Sequence, residues 1–257
     1  MRVYPFLFIF SLLIILSSCG SSTSTDDSIA SNIPLSTSNT VTDSDGNSYE
    51  VGFNQVSDNQ QNPVVKKYDA SGELVWEVVH DNSPVDVRAV LVTLDTQNRP
   101  WVVFTLDGGS SSNSYLTLRT TSENAFSGVY QSNYGQGGGP SVSVITRLNP
   151  ENGVIERGTF LTARLNNGNT NTYRVRGIGV ADGFVRVHGE SAFRPPHTGT
   201  SFVSHPSANE FGPCGFFLNQ LDLNVNLTEV VESDLLTIEE ASTLPNTAWN
   251  PDCSVRQ

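Results

Sequence analysis

Hydrophobic and polar positions divide this chain into three regimes. From Phe6 to Leu16 nearly every residue is apolar, behind a basic start at Arg2 and ahead of Ser17 and Ser18. From Gly20 to about Asn39 the chain is rich in Ser, Thr and Asp and has almost no large apolar residue. Beyond that point β-branched and aromatic residues come in short blocks, cut by Asn-Gly and Asp-Gly turn signals. The first regime has the parts of a secretory signal: a positive start, an apolar core and small residues before a cleavage site. It is about half the ~20 apolar residues that a membrane-spanning helix requires. The second regime cannot bury enough surface to fold and reads as a tether. The third predicts strands, because no window sustains helical spacing while period-two blocks bounded by turns recur. The chain therefore divides into a signal over 1–18, a disordered tether over 19–38 and a folded body over 39–257.

Within the body the blocks pair into hairpins, and the hairpins pair into a repeated unit. The first copy places strands at 39–43 and 47–52 around Ser44-Asp45-Gly46, then at 64–69 and 73–79 around Ala70-Ser71-Gly72. The second places them at 89–95 and 100–105, then at 144–149 and 154–160. The third places them at 173–180 and 184–189, then at 216–222 and 226–231. Each copy reads strand, tight turn, strand, longer gap, strand, tight turn, strand. Asp, Asn and Gly hold the tight turns because short hairpins need positive φ. Four antiparallel strands per repeat is the unit of a β-propeller blade.

Two resemblances rest on particular strings. Leu16-Ser17-Ser18-Cys19 resembles the lipobox of bacterial lipoproteins. It implies cleavage before Cys19 and lipid attachment there, as diacylglycerol and palmitate. Several acyl chains give stable anchoring, since each buried methylene contributes about 0.8 kcal/mol. Gly20 after the cysteine, in place of the Asp linked to inner-membrane retention, implies the outer membrane, facing the periplasm or the cell surface. Asp43-Ser-Asp-Gly-Asn-Ser-Tyr-Glu-Val-Gly52, followed by Lys66-Lys-Tyr-Asp-Ala-Ser-Gly-Glu-Leu-Val-Trp76, resembles the bacterial SBBP-type propeller repeat. The stretch from Asp69 to Trp76 also looks like the quinoprotein-type repeat of some outer-membrane assembly lipoproteins. The match is strongest in the first copy; the second lacks the glycine of the first hairpin and the third that of the second. The fold so implied is all-β, a propeller-like array of about three four-stranded antiparallel repeats. Closed propellers use about four to eight blades. Three copies leave open a partial propeller, a two-sheet β-sandwich of the same hairpins, or a ring completed in an oligomer. A strand-like block from Ser114 to Arg119 stands as the remnant of a further blade.

Charge narrows the partners. The chain has 26 acidic residues against 14 basic ones, a net charge of −12, and its only lysines are Lys66 and Lys67. Nucleic-acid binding requires a basic patch and is excluded. Anionic lipid is disfavoured as well, so membrane contact rests on the N-terminal lipid. The acidity serves solubility or marks a site that attracts cations.

The gaps at about 53–63, 106–143 and 190–215 gather at one end of such repeats, with the tight turns at the other. Long loops on a rigid β scaffold are usually functional. The second gap holds Phe126, Tyr130 and Tyr134, then Gly135-Gln-Gly-Gly-Gly139. The aromatics either stack on a sugar or peptide, or fold under to shield the core. The glycine run is a flexible loop, since no Lys-Ser/Thr follows it as in a phosphate loop. If this loop only carries binding, deleting 108–140 leaves folding intact. The third gap holds Phe193, Arg194, His197, Phe202, His205 and Glu210, with His188 and Glu190 just before it. Arg194 among Phe193 and prolines suits a carboxylate. His188, His197, His205 and Glu190 are weak metal candidates: imidazole suits zinc or copper, yet their spacing fits no closed site. Asp43-x-Asp45-Gly-Asn47 reads as a hairpin turn and not a calcium loop, which needs Gly at its sixth position and Glu at its twelfth.

No Gly-x-Ser-x-Gly elbow is present, and no cofactor is implied. The reading is an outer-membrane lipoprotein presenting a binding or scaffold domain to an envelope protein or a glycan. One alternative is a glycan-acting hydrolase or lyase using Glu190, Glu210, His188, His197 and Arg194; another is a metal-binding lipoprotein. In an oxidising compartment, with Cys19 lipidated, Cys214 and Cys253 are left to pair. Their loop of about 40 residues corresponds to roughly 3–4 kcal/mol of chain entropy.

Overall fold

Three hairpins share one turn construction, and it explains why Asp recurs before Gly and Asn. Asp43 Oδ1 accepts the backbone N–H groups of Asp45 and Asn47, both at 2.9 Å. Asp69 Oδ1 accepts those of Ser71 and Glu73 at 2.8 and 2.9 Å. Asp95 Oδ1 accepts those of Gln97 and Arg99 at 2.9 and 3.0 Å. The fourth residue of each turn is left-handed: Gly46 (φ 86°), Gly72 (φ 86°) and Asn98 (φ 58°). A side chain that satisfies the turn's own amides makes the reversal local and sequence-encoded.

The computed structural model describes residues 33–58, 60–80, 86–107, 121–137, 141–203 and 216–237. Among these the protein is all-β. The first sheet contains β1 (Thr40–Thr42), β2 (Ser48–Ser57), β3 (Gln60–Tyr68) and β4 (Leu74–Val79). The second contains β5 (Val87–Leu94), β6 (Pro100–Leu106), β7 (Val142–Leu148) and β8 (Ile155–Leu161). A two-stranded ribbon, β9 (Ala163–Arg164) and β10 (Thr170–Asn171), follows. The third sheet contains β11 (Tyr173–Ala181), β12 (Phe184–Ala192), β13 (Phe216–Asn224) and β14 (Val230–Leu235). In each four-stranded sheet the spatial order is the chain order, and every pairing is antiparallel.

The second sheet lies between the other two. Strands β6 and β7 are buried at all but one position each. Accordingly β6 reads as a near-continuous apolar run, while β7 buries Ser143 and Thr146, which donate to the Tyr173 and Val102 carbonyls. Val102, Phe104 and Leu106 face the first sheet, where they meet Tyr49, Val51 and Val65. Trp101 and Val103 point the other way, toward Val175, Ile178, Val187 and Leu221 of the third. Period-two alternation thus divides one strand between two cores. Each fully buried side chain of this size contributes roughly 1.5–3 kcal/mol. The tight turns meet at one end of the stack. Asn98 Nδ2 donates to Ser44 Oγ at 2.7 Å, and Trp76 Nε1 and Lys67 Nζ donate to the Pro150 carbonyl at 3.1 and 2.9 Å.

Three expectations change. The gap at 53–63 is no loop, because β2 and β3 run on through most of it as one long hairpin. Strand β14 starts at Val230 and not at 226: Asn224 Oδ1 accepts Thr228 N at 2.9 Å and Leu227 is left-handed (φ 56°), so these residues form the turn. The end of the tether belongs to the body. Ile33 is buried, and Ser36 exchanges backbone hydrogen bonds with Ile178 at 2.7 and 3.0 Å. Ser36 Oγ also donates to the Val92 carbonyl at 2.8 Å. The inner strand edges of two sheets offer backbone groups, and this short segment satisfies them at Ser36 and Ser38 while burying Ile33. Cys19, Cys214, Cys253, His205, Glu210 and the block from Ser114 to Arg119 lie outside the described residues, as do the signal and most of the tether.

Candidate functional site

The outer strands β8 and β14 would present open sheet edges, and two connecting segments cover them. Residues 121–137 run along β8. Gly158 N donates to the Ala125 carbonyl at 3.0 Å and Phe160 N to the Gln131 carbonyl at 3.0 Å. Gln131 Oε1 accepts both Thr162 N and Thr162 Oγ1, each at 3.1 Å. Residues 193–203 form a small hairpin closed by His197 N donating to the Ser201 carbonyl at 3.0 Å. Its tip exchanges hydrogen bonds between Gly199 and Val230 of β14 at 2.7 and 3.2 Å. Backbone groups bonded in this way are withheld from foreign strands; on β14 this holds at Val230 alone.

Where the two segments meet, they leave a cleft of about 290 Å3. Tyr130, Gln131, Ser132 and Asn133 line it from one segment, and Thr200 and Phe202 from the other. Arg164, at the end of β9, forms the remaining wall. Its guanidinium lies 5.5 Å from the Phe202 ring centroid and hydrogen-bonds to Thr170 Oγ1. Thr170 Oγ1 in turn donates to the Tyr134 carbonyl at 2.6 Å. Burial lowers the affinity of Arg164 for its proton, and Tyr130 opposes that shift. Burial likewise raises the pKa of the Tyr130 hydroxyl, which faces the Ser201 carbonyl at 3.5 Å. The arrangement offers the Phe202 ring, the small exposed edge of a largely buried Tyr130, one cation, and amide and hydroxyl groups from Gln131, Ser132, Asn133 and Thr200. It is equipped to hold a small polar ligand.

No family model matches this chain, and no curated protein matches it.

Of the aromatics expected in the connecting loops, Tyr130 and Phe202 meet in the cleft although they are 72 positions apart. Tyr134 is fully buried in the core between the first two sheets and leaves the candidate set. Phe126 packs on Phe160 with ring centroids 5.7 Å apart. Its ring lies where a side chain on Gly158 would be, 2.5 Å from an added Cβ. Phe193 is left-handed (φ 70°) and 41% exposed, outside the cleft lining.

Arg194 does not stand free for a carboxylate. Its Nε and Nη2 donate to the Val203 and Phe202 carbonyls at 3.1 and 3.4 Å, fastening the small hairpin. His197 stands in that hairpin, half-exposed. His188 bonds Gln220 Oε1 through Nε2 at 3.0 Å on the third sheet. Glu190 is 1% exposed, and its Oε2 accepts Arg176 Nε and Nη2 at 2.8 and 2.6 Å. That ion pair, buried on the Glu190 side only, engages the carboxylate, and Glu190 does not line the cleft. Among the described residues no three His, Cys, Asp or Glu side chains converge to share a metal ion.

Sequence reasoning missed Arg164 altogether. It sits in a two-residue strand with no flanking motif, and only the Asn167-Gly168 turn signal hints at a ribbon there. Gly168 is left-handed (φ 85°), and Leu165 N closes the turn on the Asn169 carbonyl at 2.8 Å.

Proposed function

We propose that this chain is a lipid-anchored protein of the outer membrane whose body, a partial propeller of three blades, holds a ligand in the cleft between its second and third sheets. The single observation that carries the binding reading is the meeting of Tyr130, Arg164 and Phe202, drawn from three separate segments, around an open polar cavity. Three four-stranded meanders stacked in chain order, with tight turns at one end, support the propeller reading. The ligand is a glycan, because neutral donors and acceptors beside an aromatic ring match sugar hydroxyls and ring C–H faces. The site lies on the outer rim, beside β8 and β14, and not on the end where the inner-strand connections leave the sheets. Attachment through Cys19 keeps that rim within reach of the membrane surface.

Two measurements test this reading. Mass spectrometry of the protein from membranes is expected to show a lipidated N-terminal fragment starting at Cys19; an unprocessed N-terminus removes the anchor. Screening the whole protein against immobilised saccharides is expected to reveal binding that Thr200→Trp abolishes by filling the cleft. Saccharide binding unaffected by that substitution places the site elsewhere.

A further inference from the structure

Arg164 and Arg194 stand directly opposite each other on paired backbone. Arg164 N donates to the Arg194 carbonyl at 3.0 Å, and Arg194 N returns a bond to the Arg164 carbonyl at 3.2 Å. Residues exchanging both bonds project their side chains to the same side, and like charges so placed repel. Both guanidinium groups converge on Phe202: Arg194 holds its carbonyl, and Arg164 lies over its ring. Neither has a carboxylate within ion-pair distance among the described residues. By contrast Arg88, Arg99, Arg147, Arg176 and Arg186 all have one. In a chain of net charge −12, acidic partners are plentiful. Arg157 also lacks one but donates to three backbone carbonyls, whereas Arg164 lines the cleft and its guanidinium has Thr170 Oγ1 as its one hydrogen-bond partner among the described residues.

Resting on the binding reading above, we infer that the cleft takes an acidic saccharide, a hexuronate ring whose carboxylate pairs with Arg164. The guanidinium donates from Nη1 to Thr170 and packs its Nη1 side against Gly135; the proposed carboxylate engages Nε and Nη2, the bidentate geometry to which Arg is suited. Arg194 adds positive potential but has its Nε and an Nη2 proton engaged. One guanidinium fork takes carboxylate, phosphate or sulfate oxygens alike, so a sulfated saccharide separates these anions. The remaining lining fits the ring that bears it. Gln131 Oε1 is occupied by Thr162, leaving its amide nitrogen to donate to sugar hydroxyls beside Ser132, Asn133 and Thr200. At about 290 Å3 the volume stands at the lower limit of the ~300–1,000 Å3 range of ligand pockets, suited to a single ring at the end or side of a chain.

The test is calorimetric titration of the whole protein in detergent with trigalacturonate, its methyl ester and its sulfated neutral counterpart. The acid is expected to bind at least ten-fold more tightly than the ester, and more weakly as salt rises; a sulfated form that binds more tightly than the acid overturns the hexuronate assignment. Arg164→Gln is expected to weaken the acid at least ten-fold. Because that change also removes a bond to Thr170, Thr200→Glu serves as a second variant. It adds a carboxylate at an exposed rim position and is expected to abolish acid binding while leaving the melting temperature unchanged. Equal binding of acid and ester overturns the charge assignment and leaves the saccharide cleft standing. No binding of any of the three, or tight acid binding in both variants, overturns the inference, and the former counts against the saccharide reading too.

Discussion

At the scale of single residues, buried polar groups mark the positions most sensitive to change. Asp95 accepts four hydrogen bonds: the backbone N–H groups of Gln97 and Arg99, Arg99 Nε at 2.8 Å and Trp101 Nε1 at 3.1 Å. Burial raises its pKa, but these donors outweigh burial and hold the carboxyl below its usual range. A depressed carboxyl contributes stability above its unfolded pKa, 3.8, and loses it as pH falls through the folded value. Asp95→Ala is expected to cost about 2–3 kcal/mol in urea unfolding at neutral pH, since it strands the indole N–H of a fully buried tryptophan. His188 titrates in a separate window. Burial, and then Arg186, lower its pKa against the opposing pull of Gln220 and Asp222. The unfolded chain therefore binds this proton first, so stability is expected to decline as pH drops below 6.5 and to level off below the folded pKa. His188→Gln should flatten that slope. An unchanged slope between about pH 5 and 6.5 assigns it to other groups.

At the scale of elements, two polar segments that look like connectors are structural parts. The strap from Ile33 to Ser38 lies over β11, where Gly179 makes room for it: an added Cβ would sit 2.3 Å from the Pro34 carbonyl oxygen. Gly179→Ala is expected to lift the strap and cost on the order of 1–3 kcal/mol, as overpacking does. Faster hydrogen exchange at the Ser36 and Ile178 amides would mark the release. The segment 121–137 buries Ala125, Tyr130 and Tyr134 and bonds along β8. Its deletion is therefore expected to prevent folding, read as loss of the near-ultraviolet circular dichroism signal, against the sequence-based expectation that residues 108–140 are dispensable. Such segments are hard to read in sequence because they dock through irregular backbone hydrogen bonds and a few scattered apolar side chains, which show no periodicity.

At the scale of the whole molecule, the middle sheet holds two cores together. Phe104 faces the first sheet and Ile145 the third, so each core has a fully buried representative. Phe104→Ala is expected to cost about 3–5 kcal/mol and Ile145→Ala about 2–5 kcal/mol. Both should keep a single unfolding transition if the stack behaves as one cooperative unit; a second transition in either variant separates the cores. All twelve strands of the three main sheets were legible from sequence, each with boundaries shifted by a few residues. Their signals are local: apolar alternation, an Asp, Asn or Gly turn, and the continuous Pro100–Leu106 run that marks a strand buried on both faces. The cleft was half legible. Tyr130 and Phe202 were candidates as loop aromatics, while Arg164 carried no signal, and Tyr134, Arg194 and Glu190 proved to be packing, fastening and ion-pair groups. The chain's local chemistry is enough to set hairpins, because a turn and its two strands lie within about 20 residues and satisfy their own amides. Which loop folds back on an edge, which aromatic is swallowed by the core and which arginine is left facing a cavity depend on contacts between distant segments. Those choices are made by the packing of whole sheets, and only the tertiary structure displays them.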